Sequence, residues 1–425
     1  MDRLTSTFAS LRVRNYRLFF TAQIVSVTGT WMQSVAQMWL VLRLTQSGVA
    51  LGITAALQFT PMLVLGAWGG LLADRSDKRR LLMATQTAAG CIALALAAIT
   101  LSGQVRLWMV YLLAFCLGLV NMVDNPTRQS FVTEMVGPGQ INNAVSLNSA
   151  VFTSARVIGP AAAGLLIGLV GTGWCFLYNG FSYFPVVGAL ALMKVDDLHR
   201  VRPVIKARGQ IKEGVRYAWA RPELRLPLLL MVLVGAFAFN FSVVLPLMAR
   251  YAFHSGAGTF GALLSLMGVG SLAGALLAAG REHPTHRLLV ASCLAFGCLL
   301  VIAAAMPDLP LEMAALVPVG AAMTTYQATT NTLLQLNSEV GFRGRVMALY
   351  VIVFLGSTPV GGPLVGWVGQ QFGPRTALGL GGVAAVVAGL GGVWALARWG
   401  VGRASPAGPG LPRGAPAGTR GAAGP

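Results

Sequence analysis

The sequence is short of charge. Only 10% of its 425 residues are Asp, Glu, Lys or Arg, while 55% are hydrophobic. Soluble chains carry about 25% charge. Length alone would suggest about three soluble domains, but so little polar surface cannot clothe them. Acid is scarcest, with 13 Asp and Glu against 31 Lys and Arg, for a net charge of +18. No Asp or Glu falls in the middle of an apolar run, which excludes paired-carboxylate chemistry there. The five cysteines (Cys91, Cys116, Cys175, Cys293, Cys298) lie in or at the edges of apolar runs and none forms C-x-x-C. They read as small buried hydrophobes, not disulfides or ligands. Of four His, only His283 and His286 share a loop, with no Cys or carboxylate cluster beside them, so no metal site is expected. H-E-x-x-H, G-x-S-x-G and a Walker A run are also absent. The chain is therefore not expected to be an enzyme of those classes or a self-contained ATP-driven pump, and no cofactor is implied.

What the chain does have is apolar runs. Twelve are long enough to cross a bilayer: 18–42, 49–73, 81–101, 107–124, 143–170, 174–193, 226–249, 258–279, 288–306, 311–335, 346–371 and 376–397. In lipid every backbone polar group must be satisfied within the chain, so the spans are expected to be helices and the protein an all-α membrane protein. The turn Asp74–Arg80 joins the second and third runs and carries Arg75, Lys78, Arg79 and Arg80. Basic loops are retained on the cytoplasmic side, which orients every other span and leaves both ends of the chain inside. With that orientation, all but Arg43, Arg106, Arg156, Arg250 and Arg375 of the basic residues fall in cytoplasmic segments. The excess charge is then topology bias plus attraction to anionic headgroups. No basic patch interleaved with aromatics argues for nucleic acid. Arg12, Arg14 and Arg17 precede a first run too long for a signal segment, so it is expected to stay as the first span.

The organisation expected is a six-helix bundle over 1–193, a basic linker over 194–225, a second bundle over 226–397, and a Gly-, Pro- and Ala-rich disordered tail over 398–425. Within the linker, Ile211–Trp219 is amphipathic, and reads either as a helix on the membrane surface or as a solvated turn. The halves echo each other. Gly70–Ala73 answers to Ala275–Ala278, and Gly159-Pro160 with Gly164 answers to Gly362-Pro363 with Gly366. The second copy of the basic turn has decayed, with Ala279 in the place of Asp74. Two such halves are the parallel-repeat plan of a secondary transporter.

Residues Gly70, Leu72, Asp74, Arg75, Lys78 and Arg79 resemble the loop 2–3 signature of the major facilitator superfamily, with Asp77 where that pattern has Gly. Asp tolerates left-handed backbone, so the turn is expected to survive. Gly70 is expected to permit close helix approach. Asp74, at the unfavourable end of its own helix dipole, is expected to serve another helix or a basic partner. Gly29–Gln33, Asp124–Glu134, Asn142–Ser149, Ala155–Pro160 and Arg343–Ala348 resemble the branch holding enterobactin-type exporters and the drug:proton antiporter-3 group. The likeness runs from about residue 8 to 397. It implies twelve transmembrane helices in two pseudo-symmetric bundles, with the first, fourth, seventh and tenth lining a central cavity. Gly159, Pro160 and Gly164 resemble the fifth-helix antiporter signature associated with exporters, and suit tight packing between the halves. Relatives in this branch carry an acidic residue where Thr30 stands, which leaves coupling to protons without its usual intramembrane carboxylate. Asp124, near Arg128, is the remaining candidate.

Arg156 lies thirteen residues into the fifth span, about 20 Å along the helix. A cation there costs at least about 2.5 kcal/mol. It reads either as a charge facing a wet cavity, suited to an anionic solute, or as a structural residue bonded to carbonyls, Asp124 or Asn148. Gln23, Thr30, Ser34 and Gln37 share one face of the first span, next to Gln33. Asn240 in the seventh span and Tyr326, Gln327 and Asn331 in the tenth add polar groups that read as cavity lining or as interhelical bonding. The function expected is secondary-active export of small organic molecules, of drug or siderophore type, by a monomer in the cell membrane, with protons as coupling ion. Uptake of a small anionic metabolite on the same fold is the alternative, and a non-transporting membrane protein a third.

Overall fold

In a computed structural model, residues 8–199, 210–280 and 284–399 are described. His283, the linker residues 200–209 and the tail from residue 400 lie outside the described residues. The first six spans are α1 (Arg14–Thr45), α2 (Gly48–Arg75), α3 (Lys78–Leu101), α4 (Leu107–Val136), α5 (Ile141–Val170) and α6 (Thr172–Ala191). A short helix α7 (Gln210–Ala220) follows. The seventh span is α8 (Pro222–Phe237) and α9 (Phe241–Leu247), continued by a π turn over Met248–Ala252. Then come α10 (Ala257–Ala279), α11 (His286–Ala304) and α12 (Leu309–Leu336). The eleventh span is split into α13 (Val340–Gly356) and α14 (Thr358–Gln371), and α15 (Pro374–Trp399) is the twelfth.

Among the described residues, nine helical stretches are long and apolar enough to cross a bilayer by composition alone. The spans outside that set are α1, α6 and α12, which are 32, 20 and 28 residues long. Their length suffices, and polar side chains dilute them. Helix α4 corrects the expected end at residue 124: it runs through Pro126 to Val136, so Asp124 sits inside the helix and not at its end.

Local chemistry explains the helix starts. Ser47, Asp77, Thr285 and Asp308 are N-caps that accept from the backbone N–H groups of Ala50, Arg80, Leu288 and Leu311. Asp77 is extended, with φ −65°, so its departure from the Gly pattern is a cap and not a left-handed turn. The break in the seventh span is filled by Asn240, whose side-chain amide donates to the Ala236 carbonyl at 2.7 Å.

The packing repeats in the two halves. α2 packs along α4 as α10 packs along α12, and α3 along α6 as α11 along α15. Between the halves, α5 packs on α10 and α2 on α14, a pair of contacts that the same half-for-half exchange interconverts. These contacts are made by backbone. A methyl group added at Gly48 would lie 2.3 Å from the Gly366 carbonyl oxygen, and one at Gly261 would lie 2.3 Å from that of Pro160. At the same end Ser47 Oγ donates to Gln370 Oε1 at 2.7 Å and the Tyr251 hydroxyl donates to the Gln46 carbonyl at 3.1 Å. The halves are therefore closed together at the end remote from the basic turn, called here the far end.

Helix α7 docks on the start of α13. Tyr217 stacks on Phe342 with ring centroids 4.1 Å apart, Arg345 pairs with Glu213 at 2.9 Å, and Arg221 pairs with Glu339. The segment is a helix docked on α13 and not a solvated turn.

Gly70 corrects another expectation. A methyl group there would meet nothing within 4 Å, whereas one at Gly69 would lie 2.3 Å from the Met122 carbonyl oxygen. The close approach of α2 to α4 is therefore made one residue earlier. Gly69→Ala is expected to destabilise the protein by about 1–3 kcal/mol through overpacking. Gly70→Ala should be neutral or gain up to about 1 kcal/mol of helix propensity. Denaturation midpoints of the two purified variants check the difference.

Candidate functional site

Below the closed end lies a cavity of about 380 Å³ between the halves. Its wall is built from α1, α2, α4, α5 and α6 on one side and from the broken seventh span, α10, α12 and the broken eleventh span on the other. Six amide side chains face it: Gln33, Gln37, Gln58, Asn121, Asn179 and Gln327. Trp31, Phe59, Phe239, Phe260 and Phe354 supply aromatic faces, and Met38, Met267 and Met323 supply thioethers. Among the described residues of the wall, Arg156 is the charged one and no carboxylate appears.

Arg156 is held loosely. Its guanidinium carbon stands 5.8 Å from the Trp31 ring centroid, and one nitrogen lies 4.0 Å from the Met323 sulfur. Asp124, one partner considered for it, is engaged elsewhere: its carboxylate accepts from Thr85 Oγ1 at 2.8 Å and Gln86 Nε2 at 2.7 Å, and pairs with Arg128 at 3.2 Å. With 3% exposure and this set of partners, Asp124 ties α3 to α4 and stays out of the cavity.

The structure brings Gln33, Gln37, Arg156 and Gln327 together, with Thr30 and Ser34 beside them. Gln33 accepts from Asn179 at 2.7 Å, and Gln37 keeps a buried amide nitrogen with no hydrogen-bond partner among the described residues. Asn240, Tyr326 and Asn331 do not reach the wall. Asn240 mends the helix break, Tyr326 is fully buried behind Phe239, and Asn331 accepts from Gln335 one turn on. Gln23 is buried, with both amide atoms unpartnered among the described residues, away from the cavity wall. Gln58, Asn121, Asn179 and Tyr183 line the cavity and were missed by sequence reasoning, although the three amides stand out as polar residues inside apolar runs.

Pro160 lines the cavity and its carbonyl meets Gly261. Gly164 also packs on α10, 3.1 Å from Gly258 Cα by the position a methyl group would take. Gly159 faces α1 of its own half instead, where a methyl group would lie 2.5 Å from Trp31 Cβ. It thereby sets the depth at which Trp31 sits under Arg156. In the basic turn, Lys78 pairs with Glu134 at the end of α4, and Arg79 donates to the Leu190 and Ala191 carbonyls that end α6. Asp74 lies in the last turn of α2 and Arg75 is exposed beside it. Glu134 was legible only as the end of the Asp124–Glu134 stretch, because its partner is remote in sequence.

The family profile described as transmembrane secretion effector matches residues 5–399. The chain is similar to the staphyloferrin A transporter of Staphylococcus aureus, 25% identical over 262 residues, which cover 61% of this chain and 66% of that protein. That alignment spans slightly less than two thirds of the relative. It is also similar to the multidrug efflux pump Tap of Mycobacterium tuberculosis (25% over 369 residues, 82% and 85%). The enterobactin exporter EntS of Shigella flexneri is 22% identical over 379 residues, 88% of this chain and 90% of that one. In fold, the chain matches a bacterial homologue of the human lysosomal transporter Spinster in an inward-facing and occupied conformation. The TM-score is 0.73 at 16% identity, covering 93% of this chain and 99% of that one.

Asp124→Asn is expected to destabilise the protein by about 1–3 kcal/mol, because it weakens the buried hydrogen bonds from Thr85 and Gln86 and removes the counter-charge of the partly exposed Arg128. Thermal unfolding in detergent reads this directly. Reconstituted variant protein should retain ligand affinity at the cavity.

Proposed function

The chain belongs to the transmembrane secretion effector family of the major facilitator superfamily, and from that premise we propose that it exports small organic anions bearing aromatic surface. The observation that carries this reading is the guanidinium of Arg156 over Trp31 in a wall of amides and aromatics that holds no carboxylate among the described residues. A cationic solute would meet an uncompensated like charge there. An anion gains a charge-assisted hydrogen bond, and its rings gain contact with Trp31, Phe59 and Phe239. Relatives named for staphyloferrin A and enterobactin, and one named as a multidrug pump, favour export of siderophore- or drug-type molecules over uptake of an anionic metabolite.

In this reading the protein sits in the cell membrane with the basic turn and both ends of the chain on the cytoplasmic side, as the distribution of Lys and Arg favours. The closed far end then faces outward, and the cavity is in its inward-facing state. Residues 1–193 and 226–397 rock as two bundles about the α2/α14 and α5/α10 contacts, with 194–225 as the tether. Gly70, Asp74, Arg75, Lys78 and Arg79 form a turn that Lys78 and Arg79 lock to the first bundle, poised to meet the second when the inner mouth closes. Protons are the coupling ion. The cavity is complete within one chain, which supports a monomer as the working unit.

Arg156→Gln is expected to weaken binding of an aromatic carboxylate probe, dihydroxybenzoate, by roughly tenfold or more, since a charged hydrogen bond contributes about 1.5–3 kcal/mol. Neutral catechol should bind both proteins alike. Quenching of tryptophan fluorescence measures the two affinities, and equal losses for both probes would make Arg156 structural.

A further inference from the structure

At the basic-turn end of the second half, aromatic rings and guanidinium groups form one row that transport does not use. Trp219 lies in the last turn of α7, Arg225 in the first turn of α8, and Trp394, Arg398 and Trp399 in the last two turns of α15. The Arg225 guanidinium carbon stands 4.0 Å from the Trp399 ring centroid and 5.9 Å from that of Trp219. The Trp394 and Trp399 rings meet edge to face at 6.4 Å, and the Arg398 guanidinium stands 5.6 Å from the Trp394 centroid. Tryptophan at the ends of spans is placed for the level of lipid headgroups.

The row has cationic donors to spare. A ring offers a guanidinium no hydrogen-bonding oxygen, so these contacts leave its N–H groups unused. Arg225 is half-buried and makes no hydrogen bond or ion pair among the described residues, and its Nε is buried without a partner. The carboxylates of the neighbouring segments are engaged elsewhere, Glu213 with Arg345 and Glu339 with Arg221. Glu223, two residues before Arg225, falls on another side of α8. A half-buried guanidinium with unused donors calls for an anion, and a phosphate suits its planar fork.

The surface leading away from the row says which phosphate. Leu229 and Leu233 follow Arg225 at steps of four along α8, and Leu390 and Val387 precede Trp394 at steps of four and three along α15. All four are exposed, and α8 packs along α15. A free phosphate ion has no use for two apolar strips beside its site, whereas acyl chains lie along them.

We propose that Arg225 is the centre of a binding site for one anionic phospholipid. Its headgroup phosphate takes the unused guanidinium donors beside Trp219 and Trp399, its acyl chains lie on the strips of α8 and α15, and Arg398 adds to the positive field. None of these residues lines the central cavity. The occupant braces the tether. α7 brings Trp219 to the site, while its opposite face holds α13 through Tyr217 on Phe342 and Glu213 with Arg345.

Native mass spectrometry of the full chain, released from nanodiscs holding equal amounts of phosphatidylglycerol and phosphatidylcholine, tests the site. No cargo is involved, so failure of the export reading leaves the result unaffected. The parent should retain one phosphatidylglycerol in preference to phosphatidylcholine. Arg225→Gln should lower that retention by roughly tenfold, the loss of a hydrogen bond from a charged group. Trp219→Ala should lower it severalfold. Arg80→Gln removes the same charge from an exposed position at the basic end of the first half and should leave retention unchanged. Glycerol phosphate, a headgroup without chains, should not displace the lipid. Equal retention by the parent and Arg225→Gln, the same loss in Arg80→Gln, or displacement by glycerol phosphate would overturn the proposal. Trp219 is exposed, so if Arg225→Gln does not fold, Trp219→Ala decides, and undiminished retention there overturns the site.

Discussion

A guanidinium halfway along a membrane-spanning helix constrains everything around it. Among the described residues Arg156 finds a ring and a sulfur, and no carboxylate. It persists only if its remaining donors face water or a ligand, which requires a cavity in the middle of the bundle. That cavity in turn requires polar walls, to which α1, α6 and α12 supply Gln33, Gln37, Asn179 and Gln327. Gln33 bonded to Asn179 joins α1 to α6 on that wall.

The seam that closes the cavity follows from side-chain size. Where the halves touch at the far end, glycine meets backbone, as at Gly48 with Gly366 and Gly261 with Pro160. Beside these glycines, the Ser47–Gln370 and Tyr251–Gln46 hydrogen bonds and the stack of Trp39 on Phe260 join the halves, so parting them breaks a short set of side-chain contacts. The two broken spans place their interruptions beside the cavity, with Phe239 in one break and Thr358 at the other. Irregular backbone inside a membrane is tolerated where it lines such a space. At the opposite end, Lys78 with Glu134 and Tyr217 with Phe342 tie surface segments each to its own half.

The twelve-span architecture was legible because hydrophobic runs and basic turns are properties of single segments. Helix α4 was cut short at residue 124 because its last three turns are polar, and Lys78, Glu134 and their neighbours at the basic end satisfy that polarity. The site was half legible. Gln33, Gln37, Arg156 and Gln327 are odd residues in apolar helices and do meet at the cavity, whereas Asn240, Tyr326 and Asn331 are equally odd and turn away. A polar residue in a span announces that it needs a partner, but whether that partner is a carbonyl, a helix break or a solute depends on which way the helix is rotated. Gly70 and Gly69 show the same limit, since neighbouring glycines look alike in sequence and only one faces α4.

The central claim is that an anion settles between Arg156 and Trp31. Electron cryomicroscopy of the protein incubated with an aromatic dicarboxylate, its closed end marked by a bound antibody fragment, tests this most directly. Ligand density against the Arg156 guanidinium with its ring near Trp31 is the predicted result. A ligand seated elsewhere in the cavity, with Arg156 turned to a backbone carbonyl, would contradict it.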